Sequence, residues 1–415
     1  MGSRRPTRTG LLAVPVLVLA LAGCTPATAS RVAEAPAQAA SEELASALSG
    51  FLDETVGVAG ATGAVAGVWS PWGGSWEGAV GWESDERTTA LTTDAHLRLG
   101  TGGTEAMTCD VVLALADSGR VDLDADVGET LRSLPGIDGL TLRELCAHTS
   151  GLADFRSALW PTVLQNPPRQ WPTLELLAAA QVRGASAEPG AAWSDSATGP
   201  LLAGIVAAQV TGRSIGELYD QYVVPRYGLR STELPGASEV DLPAPSPRGY
   251  AVALDPATGE KRCDVRLDVT AASPSALGAA GGALTDLEDL RRLATGLAAD
   301  PAGDAMWQDP VVQGQGRADY LRAGLGGHEA GPLRGFSGLA PGFVTAAYSD
   351  PVSGLTVAVS INSSTPGGDF AATVARTLAA IAVEQGAAAG AEGLPQLPWT
   401  ADGERGAVQG TPTRC

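Results

Sequence analysis

Residues 98–107, Arg-Leu-Gly-Thr-Gly-Gly-Thr-Glu-Ala-Met, set two hydroxyls three positions apart, Thr101 and Thr104, where a helical pattern begins. A hydroxyl at the head of a helix is placed for acyl transfer, because free backbone N–H groups there stabilise a developing oxyanion. It also needs a positioned base, which typically contributes about 100- to 10,000-fold. Thr104, one turn on, is a neutral hydroxyl and takes no proton near pH 7. The one lysine of the chain, Lys261, ends the run Thr258-Gly259-Glu260-Lys261, a polar turn rather than the start of an apolar-periodic helix. Gly102 and Gly103 each disfavour helix by roughly 1 kcal/mol relative to alanine. The expectation is a helix that starts a turn late, with Thr104 as N-cap and Glu105 as a first-turn acid.

The surrounding elements decide what this stretch can be. Met107, Val111 and Leu115 recur every four residues, as do Leu202, Val206 and Val210, and both runs predict helices. Residues 41–55 place Leu44, Leu48, Phe51 and Leu52 on one helical face. Residues 59–70 and 74–84 then read as two strands around a Pro-Trp-Gly-Gly turn. Near the other end, residues 341–349 and 354–362 read as a second strand pair. A last helix follows with Phe370, Val374, Leu378 and Ile381 along one stripe. Sheet segments at both ends of one domain, about 41–386, with a mainly helical lobe at about 101–270 between them, make an α/β fold. Its cleft is expected at the lobe junction.

The ends read differently. Arg4, Arg5 and Arg8 precede an apolar run too short for a permanent span, which reads as a signal peptide over 1–23. The run closes in Leu21-Ala22-Gly23-Cys24, similar to a bacterial lipobox. The expectation is a lipid anchor on Cys24, hence an extracytoplasmic, membrane-anchored lipoprotein. Residues 24–40 are Ala, Pro, Ser, Thr and Glu with almost no bulky apolar residue, a flexible tether. Residues 387–415, rich in Gly and Pro, are expected to form an irregular tail.

The 415-residue chain carries a formal charge of −19, and removal of the leader takes three arginines and no acids. A surface of that sign excludes nucleic acid as a partner. Besides Cys24 there are Cys109, Cys146, Cys263 and Cys415, and four thiols allow three pairings. No Cys-x-x-Cys occurs, and His96, His148 and His328 are far apart in sequence, so neither a metal nor a cofactor is expected.

Six stretches in this order, LRLGTGGTEAM, DSGRVDLDADV, TLRELCAHTSGL, PGAAWSDSATGPLLAGIV, AAGGALTDLEDLRRL and FSGLAPGFVTAAYSDPVSGLTVAV, resemble the serine β-lactamase and D-alanyl-D-alanine peptidase superfamily. The branch is the one shared by class C β-lactamases, esterases and R-type carboxypeptidases. The resemblance implies a β-lactamase/transpeptidase-like fold, an antiparallel sheet flanked by N- and C-terminal helices with an inserted helical lobe. It also puts Cys109 and Cys146 in two helices of that lobe, which implies their pairing and leaves Cys263 with Cys415. Gly119 and the glycine of His148-Thr149-Ser150-Gly151 are expected to end helices, and His148 to be structural.

At its chemical atoms the resemblance fails. The family's Ser-x-x-Lys is here Thr101-Gly102-Gly103-Thr104. Its Tyr-x-Asn falls on Asp195-Ser196-Ala197, without phenol or amide. Its Lys-Thr-Gly or His-x-Gly falls on Phe336-Ser337-Gly338, without a cation or imidazole. The reading is therefore a pseudoenzyme that binds a cell-wall peptide, a glycan or an envelope protein. The alternative is a re-tooled hydrolase with Thr101 as nucleophile and Asp195 as base. A third reading is a cleft filled by Phe336 and tryptophans.

Overall fold

The computed structural model describes residues 1–2, 38–255, 258–299 and 302–411. The expected signal peptide, Cys24 and Cys415 lie outside these residues. Eight strands form one antiparallel sheet: β1 Gly63–Ser70, β2 Gly74–Gly81, β3 Val311–Val312, β4 Leu321–Ala323, β5 His328–Ala330, β6 Leu333–Ala340, β7 Phe343–Ser349 and β8 Thr356–Ile361. Their spatial order is β2-β1-β8-β7-β6-β5-β4-β3. The two strand pairs expected from the ends of the domain thus meet in mid-sheet, where Ala64 faces Ile361 and Val68 faces Val357 across β1 and β8.

Strands β1, β7 and β8 are buried at every position, because helices cover both faces. That is why they read as near-continuous small and apolar runs rather than alternating ones. On one face lie α1 Glu42–Ala59, α7 Gly368–Ala388 and α8 Ala401–Gly410. Ser41 starts α1 by accepting the Leu44 N–H, and its Leu44, Leu48, Phe51 and Leu52 point inward as their spacing predicts. On the other face lie α2 Gly100–Asp117, α6 Leu287–Ala299 and the helical lobe, which includes α3 Leu142–Cys146, α4 Arg156–Gln165 and α5 Thr198–Thr211. The molecule is thus an α/β fold of the expected class, with helices packed on both faces of an antiparallel sheet.

Two boundaries differ from the sequence expectation. Residues 38–40, assigned to the tether, run along the sheet edge, where Ala40 N–H donates to Ser75 O and Ser75 N–H to Gln38 O. The expected irregular tail instead contains α8. Thr400 caps it, Val408 is buried, and Glu404 pairs with Arg376 of α7 at 2.8 Å. Its inward residues are few and one is charged, so a search for apolar periodicity passes over it. The end of the mainly helical lobe is a β-hairpin, Tyr250–Leu254 with Lys261–Asp268, in keeping with the polar turn between short extended runs that the sequence shows there.

A disulfide joins Cys109 of α2 to Cys146 of α3, with Cα atoms 5.8 Å apart. Cys263, on the hairpin, is also oxidised to a disulfide, and the partner expected for it, Cys415, lies outside the described residues. Among the described residues no helix is long and apolar enough to cross a membrane.

Candidate active site

Helix α2 begins at Gly100, not a turn late, and Thr104 is an interior residue rather than its N-cap. The glycines explain the difference. A Cβ on Gly102 would stand 2.1 Å from the Ser337 carbonyl oxygen, and one on Gly103 would meet the Leu99 side chain at 2.4 Å and the Phe336 ring at 3.0 Å. Strand β6 reciprocates with Gly338, whose Cβ would lie 2.4 Å from Thr101 Oγ1. Helix and strand approach so closely that only hydrogen fits between them. The packing gained there outweighs the propensity lost.

Thr101 Oγ1 accepts a hydrogen bond from the Leu339 backbone N–H at 3.2 Å. Thr104 is fully buried and its hydroxyl accepts from the Ala283 N–H at 3.4 Å. Phe336 is fully buried in the core between sheet and helical lobe. An apolar ring therefore occupies the place where a strand-borne cation was sought. Ala197 is equally buried at the start of α5.

A cavity of about 210 Å³ remains at the lobe junction, lined by Thr101, Glu105, Arg156, Trp193, Asp195 and Gly338 among others. Of the expected positions, Thr101, Asp195 and Gly338 meet here, while Thr104, Ala197 and Phe336 lie behind the wall. The cleft has not filled in, and of the tryptophans only Trp193 lines it.

Asp195 is not free to act as a base. Its Oδ2 lies 3.1 Å from Arg156, which also holds Asp154 at 2.7 Å. Desolvation in the cleft works to raise the Asp195 carboxyl, but Arg156 and His148 outweigh it and keep the group below the ordinary carboxylate range. Asp154 behaves oppositely, its burial winning over the same guanidinium.

Glu105 is the residue that sequence reasoning misplaced. Since α2 starts early, Glu105 falls in the second turn and faces inward, 2% exposed. Burial, with Asp195 nearby, raises its carboxyl well above the usual value and so favours the protonated form. Its Oε2 lies 3.6 Å from His148 Nε2, and its Oε1 has no partner. His148 Nδ1 accepts the Ser196 N–H at 3.3 Å, which assigns the imidazole proton to Nε2, on the side of Glu105. Burial lowers the His148 pKa to about 4. The turn directly after α3 is made by His148 at φ 57°, ahead of Gly151, the residue expected to end the helix.

His328 joins the same cavity, its Nδ1 3.4 Å from Ser337 Oγ and its pKa lowered by burial. Two histidines distant in sequence thus flank one cleft. Arg317 and Asp369, paired with each other, close the far side. Asp154 and Arg156 are residues that sequence reasoning passed over, an acid and a base two residues apart in an otherwise apolar loop. Lys261 is exposed at the start of the second hairpin strand and does not line the cavity.

A family model described as Beta-lactamase matches residues 49–381. Among solved structures the chain is similar to a D-stereospecific amidohydrolase from Streptomyces sp., with 26% identity and TM-score 0.67 over 78% of this chain and 95% of that one. It is also similar to D-amino acid amidase from Ochrobactrum anthropi SV3, with 21% identity and TM-score 0.67 over 83% and 99%. A third similar structure is the octameric penicillin-binding protein homologue from Pyrococcus abyssi, with 19% identity and TM-score 0.65 over 85% and 79%. The last two likenesses speak for the fold alone.

Proposed function

The chain belongs to the beta-lactamase family, and from that membership we propose that it is a member without acyl transfer, whose cleft binds a small polar ligand of the cell envelope. The observation that carries this reading is the state of Thr101. Among the described residues no side-chain base is hydrogen-bonded to its hydroxyl, which instead accepts the Leu339 N–H. A hydroxyl without an acceptor for its proton is a poor nucleophile. The Leu339 donor that converges on this oxygen is already engaged, so an incoming oxyanion would have to displace the hydroxyl to use it. Asp195, the candidate base, is held ionised and paired by Arg156.

What favours a retained binding role is the cavity itself, polar and open where a closed junction would mark a purely structural protein. The relatedness to an amidohydrolase at 26% identity favours an amide- or peptide-like ligand over a glycan. The lipid anchor on Cys24 belongs to the same proposal, supported by the lipobox-like sequence and the polar tether, and would hold the cleft at the membrane face.

The test is turnover of nitrocefin, p-nitrophenyl acetate and D-alanine p-nitroanilide by the wild type and by Thr101→Ala. Equal rates, at the buffer level, are expected. A rate in the wild type that Thr101→Ala abolishes contradicts the proposal.

A further inference from the structure

We infer that the floor of the cleft at Glu105 is a binding site for a primary ammonium group, carried by a small amine such as an amino-acid amide or the N-terminus of a short peptide. The inference rests on the reading above, in which the cleft binds rather than acylates.

Buried polar groups are nearly always hydrogen-bonded, so unpartnered ones mark a place where something else is bound. Four such atoms belong to neighbouring residues, Glu105 Oε1, His148 Nε2, Trp193 Nε1 and Ser196 Oγ, and of these residues Glu105 and Trp193 line the cavity. Trp193 packs 6.1 Å from the His148 ring, and Ser196 N–H binds the other face of that imidazole. Glu105 is the one carboxyl in the group, and it lines the cavity.

The charges select the sign of the ligand. Both cations of the cleft are already matched, Arg156 by Asp154 and Asp195, and Arg317 by Asp369. Glu105 is the acid left over, with no cation of its own. Three aspartates already face two arginines, so an anion would meet a surplus of carboxylates, whereas a cation is attracted whether or not Glu105 is ionised. Among the described residues no group of three His, Cys, Asp or Glu is arranged to hold a metal ion. The residues that line this wall, Glu105, Thr101 and Asp195, carry acceptor oxygens suited to a tetrahedral ammonium, and Trp193 lines the same cavity.

Proton linkage follows. The groups that act on Glu105 are His148, Asp154, Arg156 and Asp195, with the Tyr219 hydroxyl behind and Arg317 and Asp369 across the cavity. In the free protein burial raises the Glu105 carboxyl and favours its protonated form. An ammonium pairs with the carboxylate, so binding expels the Glu105 proton to solvent. Affinity therefore rises with pH, at most about tenfold per unit, as long as the carboxyl is protonated in the free protein and the amine keeps its own proton.

The experiment is calorimetric titration of the full chain with D- and L-phenylalaninamide at pH 6, in two buffers of different ionisation enthalpy. N-acetylphenylalaninamide, which lacks the cation, is the control. The expected result is binding of an amine with net release of protons, up to about one, and binding of the acetylated control weaker by about tenfold or more. Glu105→Gln, checked for an unchanged far-UV circular dichroism spectrum, is expected to lose the proton release. The wild-type proton count stands on its own should that variant fail to fold. No binding at millimolar amine, binding without proton release, or equal binding of the acetylated compound overturns the inference. Ammonia released from the amides in the same samples would instead overturn the non-acylating reading, whatever the proton count.

Discussion

Glu105 and His148 hold the protonation states opposite to those water would give them. Glu105, ordinarily ionised above 4.5, is pushed up by burial, and His148, ordinarily protonated below 6.5, is brought down to about 4. A raised carboxyl lowers stability as pH climbs from 4.5 toward its folded pKa. A depressed imidazole raises stability as pH climbs from about 4 to 6.5. Between 4.5 and 6.5 the two slopes oppose each other for as long as Glu105 stays protonated in the folded protein. Glu105→Gln removes one slope. The stability of that variant relative to wild type should then rise with pH across this window, by at most about 1.4 kcal/mol per unit, in urea denaturation at several pH values. Parallel profiles for the two proteins would show that the pair is not coupled as described. Little of this pair was legible in the sequence. Glu105 reads as a surface acid as long as the helix is started at Thr104, and one turn of error rotates it from solvent into the core.

At the scale of elements, that error has a physical source. Propensity treats Gly102 and Gly103 as weak points, but the contact between α2 and β6 makes them a requirement. Gly102→Ala should destabilise the protein by about 1–3 kcal/mol, the usual cost of overpacking, read as a lowered urea midpoint. Gly119→Ala is the contrasting control, since a Cβ there meets nothing within 4 Å, so any cost comes only from its φ of +70°. If Gly102→Ala is as stable as wild type, the close approach is not as tight as drawn. The surviving frame phrases were legible because they encode turns and helix ends that act locally. The Asp154–Arg156–Asp195 cluster was not, because its members come from two segments brought together only by the packing of the helical lobe.

Across the whole molecule, the sheet is assembled from both ends of the domain, and the helices on its outer face are continued by α8. Side chains of Arg376 and Glu404 are 11% and 10% exposed where α7 and α8 meet. Glu404→Ala leaves a buried guanidinium unmatched, and a loss of about 3–5 kcal/mol is expected, measured by thermal or urea unfolding. A loss below about 1 kcal/mol, typical of an exposed pair, would place α8 outside the folding unit. The fold was legible in the sequence since strand and helix periodicities and the order of the family-like phrases agree with one another. What α8 contributes was not, because its anchor is an ion pair rather than an apolar stripe.

The central claim is that this family member keeps the cleft and the Thr101 hydroxyl but lacks a base to activate it. Intact-mass spectrometry of the purified protein after prolonged exposure to excess benzylpenicillin tests it most directly. An unchanged mass is the expected result. A stoichiometric penicilloyl adduct that maps to Thr101 and disappears in Thr101→Ala would contradict the account.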